Sequence, residues 1–194
     1  MPTGRARDDS FPNPADWPAG GVDDTDEGFD WRWSMDDPRI VNLSELPWVS
    51  WKSGRGVAVE LRDPARRLGS SRSGLRLYRL APGTQATRLH RHLHQEEMFL
   101  ILKGSGTLRH GERQVPVKEG DFVLYPAGDP AAHTFINSGS EPMEYLATGN
   151  RVDYEVCEYP EEGTVYVEVL NKTLKAEEVP GTREQMEKWY EAGH

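Results

Sequence analysis

The sequence predicts an all-β fold, a sandwich or barrel built from short strands. Between Leu75 and Thr148, runs rich in β-branched and aromatic residues alternate with Gly- and Pro-containing turns, at the spacing typical of such folds. The 194 residues include 19 glycines and 14 prolines, and only 36% are apolar, which suits a turn-rich core with loosely packed tails. This stretch has no room for a crossover helix, so a parallel α/β sheet is not expected.

The predicted strands are separated by recognisable turns. Ala81-Pro82-Gly83-Thr84, Gly104-Ser105-Gly106 and Lys118-Glu119-Gly120-Asp121 have turn composition, and His110-Gly111-Glu112 is typical of a hairpin. The strands expected between these turns are Leu75–Leu80, Thr87–His92, Glu97–Lys103, Thr107–Arg109, Arg113–Val117, Phe122–Tyr125, His133–Asn137 and Met143–Thr148. Two short pieces, Ile40–Leu43 and Val57–Leu61, are predicted to precede them.

The flanking segments divide the chain into three parts. Residues 1–37 are an acidic arm of irregular structure that contains Pro and Trp residues, and 38–150 form the barrel. Residues 151–194 supply one more strand, Val165–Leu170, and end in a short helix over Thr182–Glu191 that packs on the barrel. Thr182 is the expected N-cap of that helix, with Gln185 as its capping-box partner.

Charge and composition exclude several classes of function. The net charge is −9, and residues 1–37 carry ten acidic residues and three arginines, so most of the excess lies on the arm. Because phosphate contacts need surplus Lys and Arg, no nucleic-acid partner is expected. The sequence lacks an apolar run of about 18 residues and a secretory signal, so we expect a cytoplasmic protein with no membrane partner. Cys157 is the single cysteine, which excludes an intrachain disulfide.

Histidines and a carboxylate fall on neighbouring predicted strands. His90 and His92 alternate along one strand, so both imidazoles point to the same face. Glu96 or Glu97 begins the next strand, and spacing alone leaves the choice between them open. His133 begins a later strand, and imidazoles with a carboxylate are good ligands for Fe, Mn, Ni, Cu or Zn. The cluster therefore predicts one divalent transition metal.

The remaining histidines are expected outside this cluster. His94 shares the parity of the two strand histidines but is placed more simply in the loop that follows them. His110 falls in a hairpin turn, where a solvated side chain is expected, and His194 ends the chain.

These residues resemble the two motifs of the cupin superfamily. Gly83, His90-Arg91-His92, Glu97 and Gly104 match the first motif, with four residues between His92 and Glu97 and six between Glu97 and Gly104. Gly120, Pro126-Ala127-Gly128, His133 and Asn137 match the second. The resemblance selects Glu97 over Glu96, and it implies a structural role for the motif's asparagine.

The resemblance implies a jelly-roll β-barrel that holds a metal near one open end through His90, His92, Glu97 and His133. It also implies a homodimer formed through edge strands or N-terminal arms, and open sheet edges need such cover. Residues in phase with the ligands, or beside the Pro/Gly loop, are expected to line the cavity: Phe99, Ile101, Tyr125 and Phe135.

The predicted function is that of a metal-dependent enzyme acting on a small organic molecule, with an oxygenase placed before an isomerase. Tyr125 and Arg88 are the candidate catalytic residues, although for Arg76, Arg88 and Arg91 alike we favour an exposed strand face. The alternatives are a non-catalytic cupin that binds or senses a small ligand, and a metal-free structural barrel. Fold alone does not choose among them.

Overall fold

The computed structural model describes residues 39–54, 56–168 and 172–175. The predicted arm of residues 1–37 and the predicted helix Thr182–Glu191 lie outside the described residues. Within them, strands dominate, with one short helix, α1 (Pro64–Arg67), and a 3-10 turn at Leu43–Glu45. The strands are β1 (Val49–Lys52), β2 (Ala58–Arg62), β3 (Ser73–Leu80), β4 (Arg91–His92), β5 (Glu97–Lys103), β6 (Ser105–His110), β7 (Arg113–Lys118), β8 (Phe122–Tyr125), β9 (His133–Ile136), β10 (Met143–Asn150), β11 (Val156–Tyr159), β12 (Thr164–Val167) and β13 (Lys172–Lys175).

The strands build two layers. One is a six-stranded antiparallel sheet in the order β1-β2-β3-β10-β5-β8. The other combines a four-stranded sheet, β13-β12-β11-β4, with a three-stranded sheet, β7-β6-β9. His90 and His133 join these two sheets, because the N–H of each donates to the carbonyl of the other at 3.2 and 2.7 Å. The all-β prediction is confirmed, and the layers are consistent with a jelly roll.

An aromatic core lies between the layers. Along β5, Phe99 and Ile101 point inward while Leu100 and Leu102 are exposed, as the two-residue period of a strand requires. The Phe99 ring meets Phe135 of the opposite layer at 5.1 Å between centroids. Full burial of one such side chain stabilises the fold by about 1.5–3 kcal/mol, so this packing is a main source of stability.

Asn137 has the structural role that the resemblance implied. Its side chain is fully buried, and Nδ2 donates to the carbonyls of Leu80 and Glu141 at 2.8 and 2.9 Å. Its Oδ1 accepts the N–H of Gly139 at 3.0 Å. The side chain thus satisfies backbone groups that would otherwise be buried without partners.

The structure differs from the predicted elements in several places. Ile40–Leu43 is not a strand, because Asn42 caps the following 3-10 turn by accepting the N–H of Ser44 at 2.9 Å. The predicted strand over Thr87–His92 is reduced to β4, since only isolated bridges pair the residues before it. The strands β1, β11 and β13 and the helix α1 were not predicted.

The outer face of the large sheet carries an apolar strip at its β8 edge. Phe122 is 62% exposed and lies opposite Leu100 across the β5–β8 pair, with Leu102 and Leu124 also exposed. The homodimer stays a prediction, and this strip is a surface that a second copy could cover. Among the described residues, no helix has both the length and the apolar character that crossing a membrane requires.

Candidate metal centre

The four predicted ligands come together between the two layers. His92 lies in β4, Glu97 begins β5 and His133 begins β9, with His90 just before β4. The Oε2 atom of Glu97 lies 2.9 Å from Nε2 of His133, 3.4 Å from Nε2 of His92 and 3.9 Å from Nε2 of His90. One carboxylate oxygen therefore faces an Nε2 atom on each of the imidazoles.

Two glycines hold the backbone around this cluster. Gly128 has a φ of 75°, in the left-handed region that favours glycine, and its N–H donates to the carbonyl of His92 at 3.0 Å. This bond docks the Pro126-Ala127-Gly128 loop against β4. Gly149 of β10 lies so close to Glu96 that a Cβ atom would clash with the Glu96 carbonyl, so a side chain there would displace the start of β5.

Burial and the neighbouring imidazoles set the charges of the cluster. Burial lowers the pKa of His90 to about 3, with His133 and His92 adding to the shift, and it also lowers the pKa of His92. Burial alone would raise the pKa of Glu97, but the surrounding histidines outweigh it and hold that pKa well below its ordinary value. At neutral pH, neutral His90 and His92 therefore flank an ionised carboxylate.

This donor set fits a divalent transition metal. Among the described residues, the ion-pair partners of Glu97 are all imidazoles, so no Lys or Arg neutralises its charge. The ligand atoms of His90, Glu97 and His133 lie within 4.8 Å of one another. The Nδ1–H of His90 donates to the Arg88 carbonyl at 2.9 Å, which leaves the lone pair on Nε2 facing the cluster. Nitrogen and carboxylate donors suit Fe, Mn, Ni, Cu or Zn.

Tyr125 and His110 form the wall beside His133. The ring of Tyr125 stacks on His133 with 3.8 Å between centroids and an interplanar angle of 15°. The Tyr125 hydroxyl lies 3.0 Å from Nδ1 of His110, the last residue of β6. The prediction that His110 is a solvated turn residue is wrong, because β6 continues through His110 and brings its ring against Tyr125.

A small opening with a mixed polar and apolar lining leads to the cluster. Besides His92, Glu97 and His133, it is lined by Arg91, Gln95, Tyr125, Pro126, Asp129 and Ala131. Of the other predicted lining residues, Phe99 contacts His133 edge-on at 5.6 Å, while Ile101 and Phe135 are buried in the core. Of the four residues predicted to line the cavity, Tyr125 is therefore the one that borders this opening in the described part of the chain.

Arg88 is buried, contrary to the exposed strand face that we favoured for it. Arg88 is 9% exposed, and its Cζ atom lies 3.9 Å from the centre of the Tyr159 ring. That ring in turn stacks beside His90 at 6.2 Å. The other two arginines form ion pairs: Arg76 with Asp63 and Arg91 with Glu158. The sequence missed this wall because β11, which carries Tyr159, was not predicted.

Glu155 supports the loop between His92 and Glu97. Its side chain is buried, and its carboxylate accepts the backbone N–H groups of Leu93 and Val156 at 2.9 Å and of His94 at 3.2 Å. Burial raises the pKa of Glu155 to about 7, against the effect of these hydrogen bonds. His94 itself lies in the loop, as predicted, with its ring edge-on to Tyr154 at 4.9 Å.

Glu155→Ala is expected to lower the free energy of unfolding by about 3 kcal/mol, because each buried N–H left without an acceptor costs about 1–3 kcal/mol. Urea denaturation of the metal-free chain measures the loss. Glu161→Ala is the matched control, since its surface pair with Arg109 should contribute no more than about 1 kcal/mol. Equal losses in the two variants would contradict the supporting role of Glu155.

Comparisons with known proteins agree with the all-β fold described above. A family model described as a cupin domain matches residues 76–149. The solved structure of a candidate sugar phosphate isomerase from Acidithiobacillus ferrooxidans is 25% identical, with a TM-score of 0.68, and the match covers 73% of this chain and 95% of that one. A sugar phosphate isomerase structure from Silicibacter pomeroyi is 22% identical, with a TM-score of 0.65 and coverage of 76% and 99%.

Another similar protein is described as a binding protein rather than an enzyme. The oxalate-binding protein of Thermotoga maritima is 33% identical over 69 residues, which are 36% of this chain and 54% of that protein. This chain thus spans about half the length of that relative. The family match and the two motifs lead to one conclusion: residues 76–149 of this chain form a cupin domain.

Proposed function

We propose that this protein is a metal-dependent cupin enzyme that acts on a small polar organic molecule, with isomerisation as its reaction class. The observation that carries the proposal is the convergence of the Nε2 atoms of His90, His92 and His133 on one oxygen of Glu97, beside an opening. Of the oxygenase and isomerase chemistries that the sequence left open, the isomerase is supported by the likeness to the Acidithiobacillus protein.

His90, His92, Glu97 and His133 would hold the metal ion. When bound, a divalent ion supplies Lewis acidity, which polarises a carbonyl or hydroxyl oxygen of the substrate. The side chains of Arg91, Gln95 and Asp129, which border the opening, offer donors and acceptors to substrate hydroxyl groups. The buried aromatic side chains behind His133 keep water from that side of the cluster.

Tyr125 is the proton-carrying residue in this proposal. Burial raises the pKa of its phenol well above the ordinary value, with the negative charges of Asp129 and Glu97 adding to the shift, so the hydroxyl stays protonated. Tyr125 borders the opening, and His110 lies within hydrogen-bonding distance of its oxygen. The pair can donate a proton to a substrate oxygen and recover it from the imidazole.

Solvent deuterium tests the reaction class. The chain, loaded in turn with Mn(II), Fe(II) and Zn(II), is incubated in D2O with a panel of aldose and ketose phosphates, and NMR follows deuterium at the carbon beside the carbonyl. We expect exchange with at least one sugar phosphate and a loss of about 100-fold or more in Tyr125→Phe, which keeps the ring but removes the proton. A Tyr125→Phe variant with full metal content and undiminished exchange would contradict the role of Tyr125.

The second candidate is a non-catalytic cupin that binds a small anion, and the name of the Thermotoga relative favours it. Calorimetric titration of the metal-loaded chain with oxalate separates it from the enzyme. Metal-dependent oxalate binding, with no exchange across the sugar phosphates and no oxygen uptake with phenols, diketones or thiols, would favour binding over catalysis. A chain that takes up no divalent metal would contradict both candidates.

A further inference from the structure

The strand β11 brings a second set of donor atoms to the metal centre. In the antiparallel β4–β11 pair, Cys157 lies directly opposite His92. Alternate residues of a strand share a face, so Tyr159 points to the same side as Cys157, and its ring lies beside that of His90. The face that β11 turns toward the histidines therefore carries a thiol.

The distances place this thiol among the proposed ligands. The ligand atoms of His90, His92 and Cys157 lie within 4.8 Å of one another, the same limit that encloses those of His90, Glu97 and His133. His90 belongs to both groups. Cys157 is 6% exposed, so its sulfur faces the protein interior rather than solvent.

A buried cation next to this group independently indicates a negative charge there. The Nε and Nη2 atoms of Arg88 are buried and have no hydrogen-bond partner, and no carboxylate pairs with the guanidinium among the described residues. A buried charge without a counter-charge is costly. Arg88 lies over the ring of Tyr159, which shares its face of β11 with Cys157. A thiolate at Cys157 would give Arg88 the anion that it lacks.

We propose that Cys157 is a further metal ligand, and that His90, His92 and Cys157 form a thiolate-containing donor set that shares the centre with Glu97 and His133. The inference rests on the proposed metal site. When the metal binds, the Sγ–H proton is released to water and a metal–sulfur bond replaces it, with no change of oxidation state. A thiolate favours Co(II), Zn(II) or Cu(I) over the harder Mn(II). Cys157 would therefore decide which metal the centre prefers.

Cobalt(II) reports separately on the centre and on the sulfur. The metal-free 194-residue chain is titrated anaerobically with Co(II), and its absorption spectrum is recorded for the parent, Cys157→Ser and His94→Ala. Bands in the visible region report cobalt in a protein site, and a sulfur-to-cobalt charge-transfer band in the near ultraviolet reports a thiolate ligand. We expect both kinds of band in the parent and in His94→Ala, and the visible bands alone in Cys157→Ser.

A parent spectrum with visible bands but no near-ultraviolet band would overturn the assignment of Cys157 and leave the proposed metal site standing. An absence of all cobalt bands in the parent would overturn both. Competition titrations give a second measure. The preference for Zn(II) over Mn(II) should fall by about 10-fold or more in Cys157→Ser, comparable with the loss of other groups that tune a metal site. An unchanged preference would also overturn the assignment.

Discussion

His92→Ala is expected to lower the affinity of this protein for divalent metal by more than about 100-fold, since removing even an outer partner of a metal ligand costs about 10–100-fold. His92 faces Glu97 across 3.4 Å and belongs to the group of donor atoms that it forms with His90 and Cys157. The substitution therefore removes one of the four proposed ligands and leaves that group incomplete. Metal content after purification without added metal, and calorimetric titration with Zn(II) and Mn(II), measure the effect.

His94→Ala is the matched control, two residues further along the same segment. The ring of His94 packs edge-on against Tyr154, and His94 belongs to neither group of donor atoms, so the variant should keep the metal content of the parent. If both variants lost metal equally, the loop as a whole would hold the ion and the assignment of His92 would be wrong. If neither lost metal, the centre would lie elsewhere.

Phe135→Ala is expected to lower the free energy of unfolding by about 3–5 kcal/mol, the usual cost of emptying a buried aromatic position. Phe135 is 2% exposed and contacts Phe99 and Tyr145 with ring centroids 5.1 and 4.9 Å apart. These rings belong to both layers, so the cavity would open in the centre of the fold. Urea denaturation of the metal-free chain gives the value without a contribution from bound metal.

Ile40→Ala is the control, because it measures the loss of unfolding free energy when an exposed apolar side chain is truncated. Ile40 is 78% exposed, and its truncation should change the free energy of unfolding by no more than about 0.5 kcal/mol. A cost for Phe135→Ala as small as that of Ile40→Ala would show that the two layers do not depend on this aromatic contact.

Local pattern was a good guide wherever a structural feature is itself local. Phe122–Tyr125 and Glu97–Lys103 are strands with the predicted bounds, because alternation and flanking glycine turns are written in consecutive residues. The parity of His90 and His92 likewise predicted that both imidazoles share a face. Glu97 and His133 lie on other strands. The resemblance chose Glu97 over Glu96 and gave the full set of four ligands.

Contacts between distant segments were beyond the reach of such patterns. Glu155 accepts a hydrogen bond from the N–H of Leu93, which is 62 residues away in the sequence. The residues around either position do not predict this contact. Arg88 follows the same strand periodicity whether it faces solvent or Tyr159, so the exposed alternative was equally compatible with the sequence. His110 was assigned to a turn because it precedes Gly111 in a sequence typical of hairpin turns. In the structure, β6 extends through His110.

The sequence by itself determined the all-β class and the strands around the two motifs, because strand period and turn composition are properties of neighbouring residues. Its resemblance to the cupin motifs gave the four proposed metal ligands. Only the tertiary structure decided how those four donors converge on one oxygen and what surrounds them. The pairing of β4 with β11 placed Cys157, Tyr159 and the buried Arg88 beside the imidazoles. Sheet pairing of this kind is set by packing over the whole barrel rather than by any local run of residues.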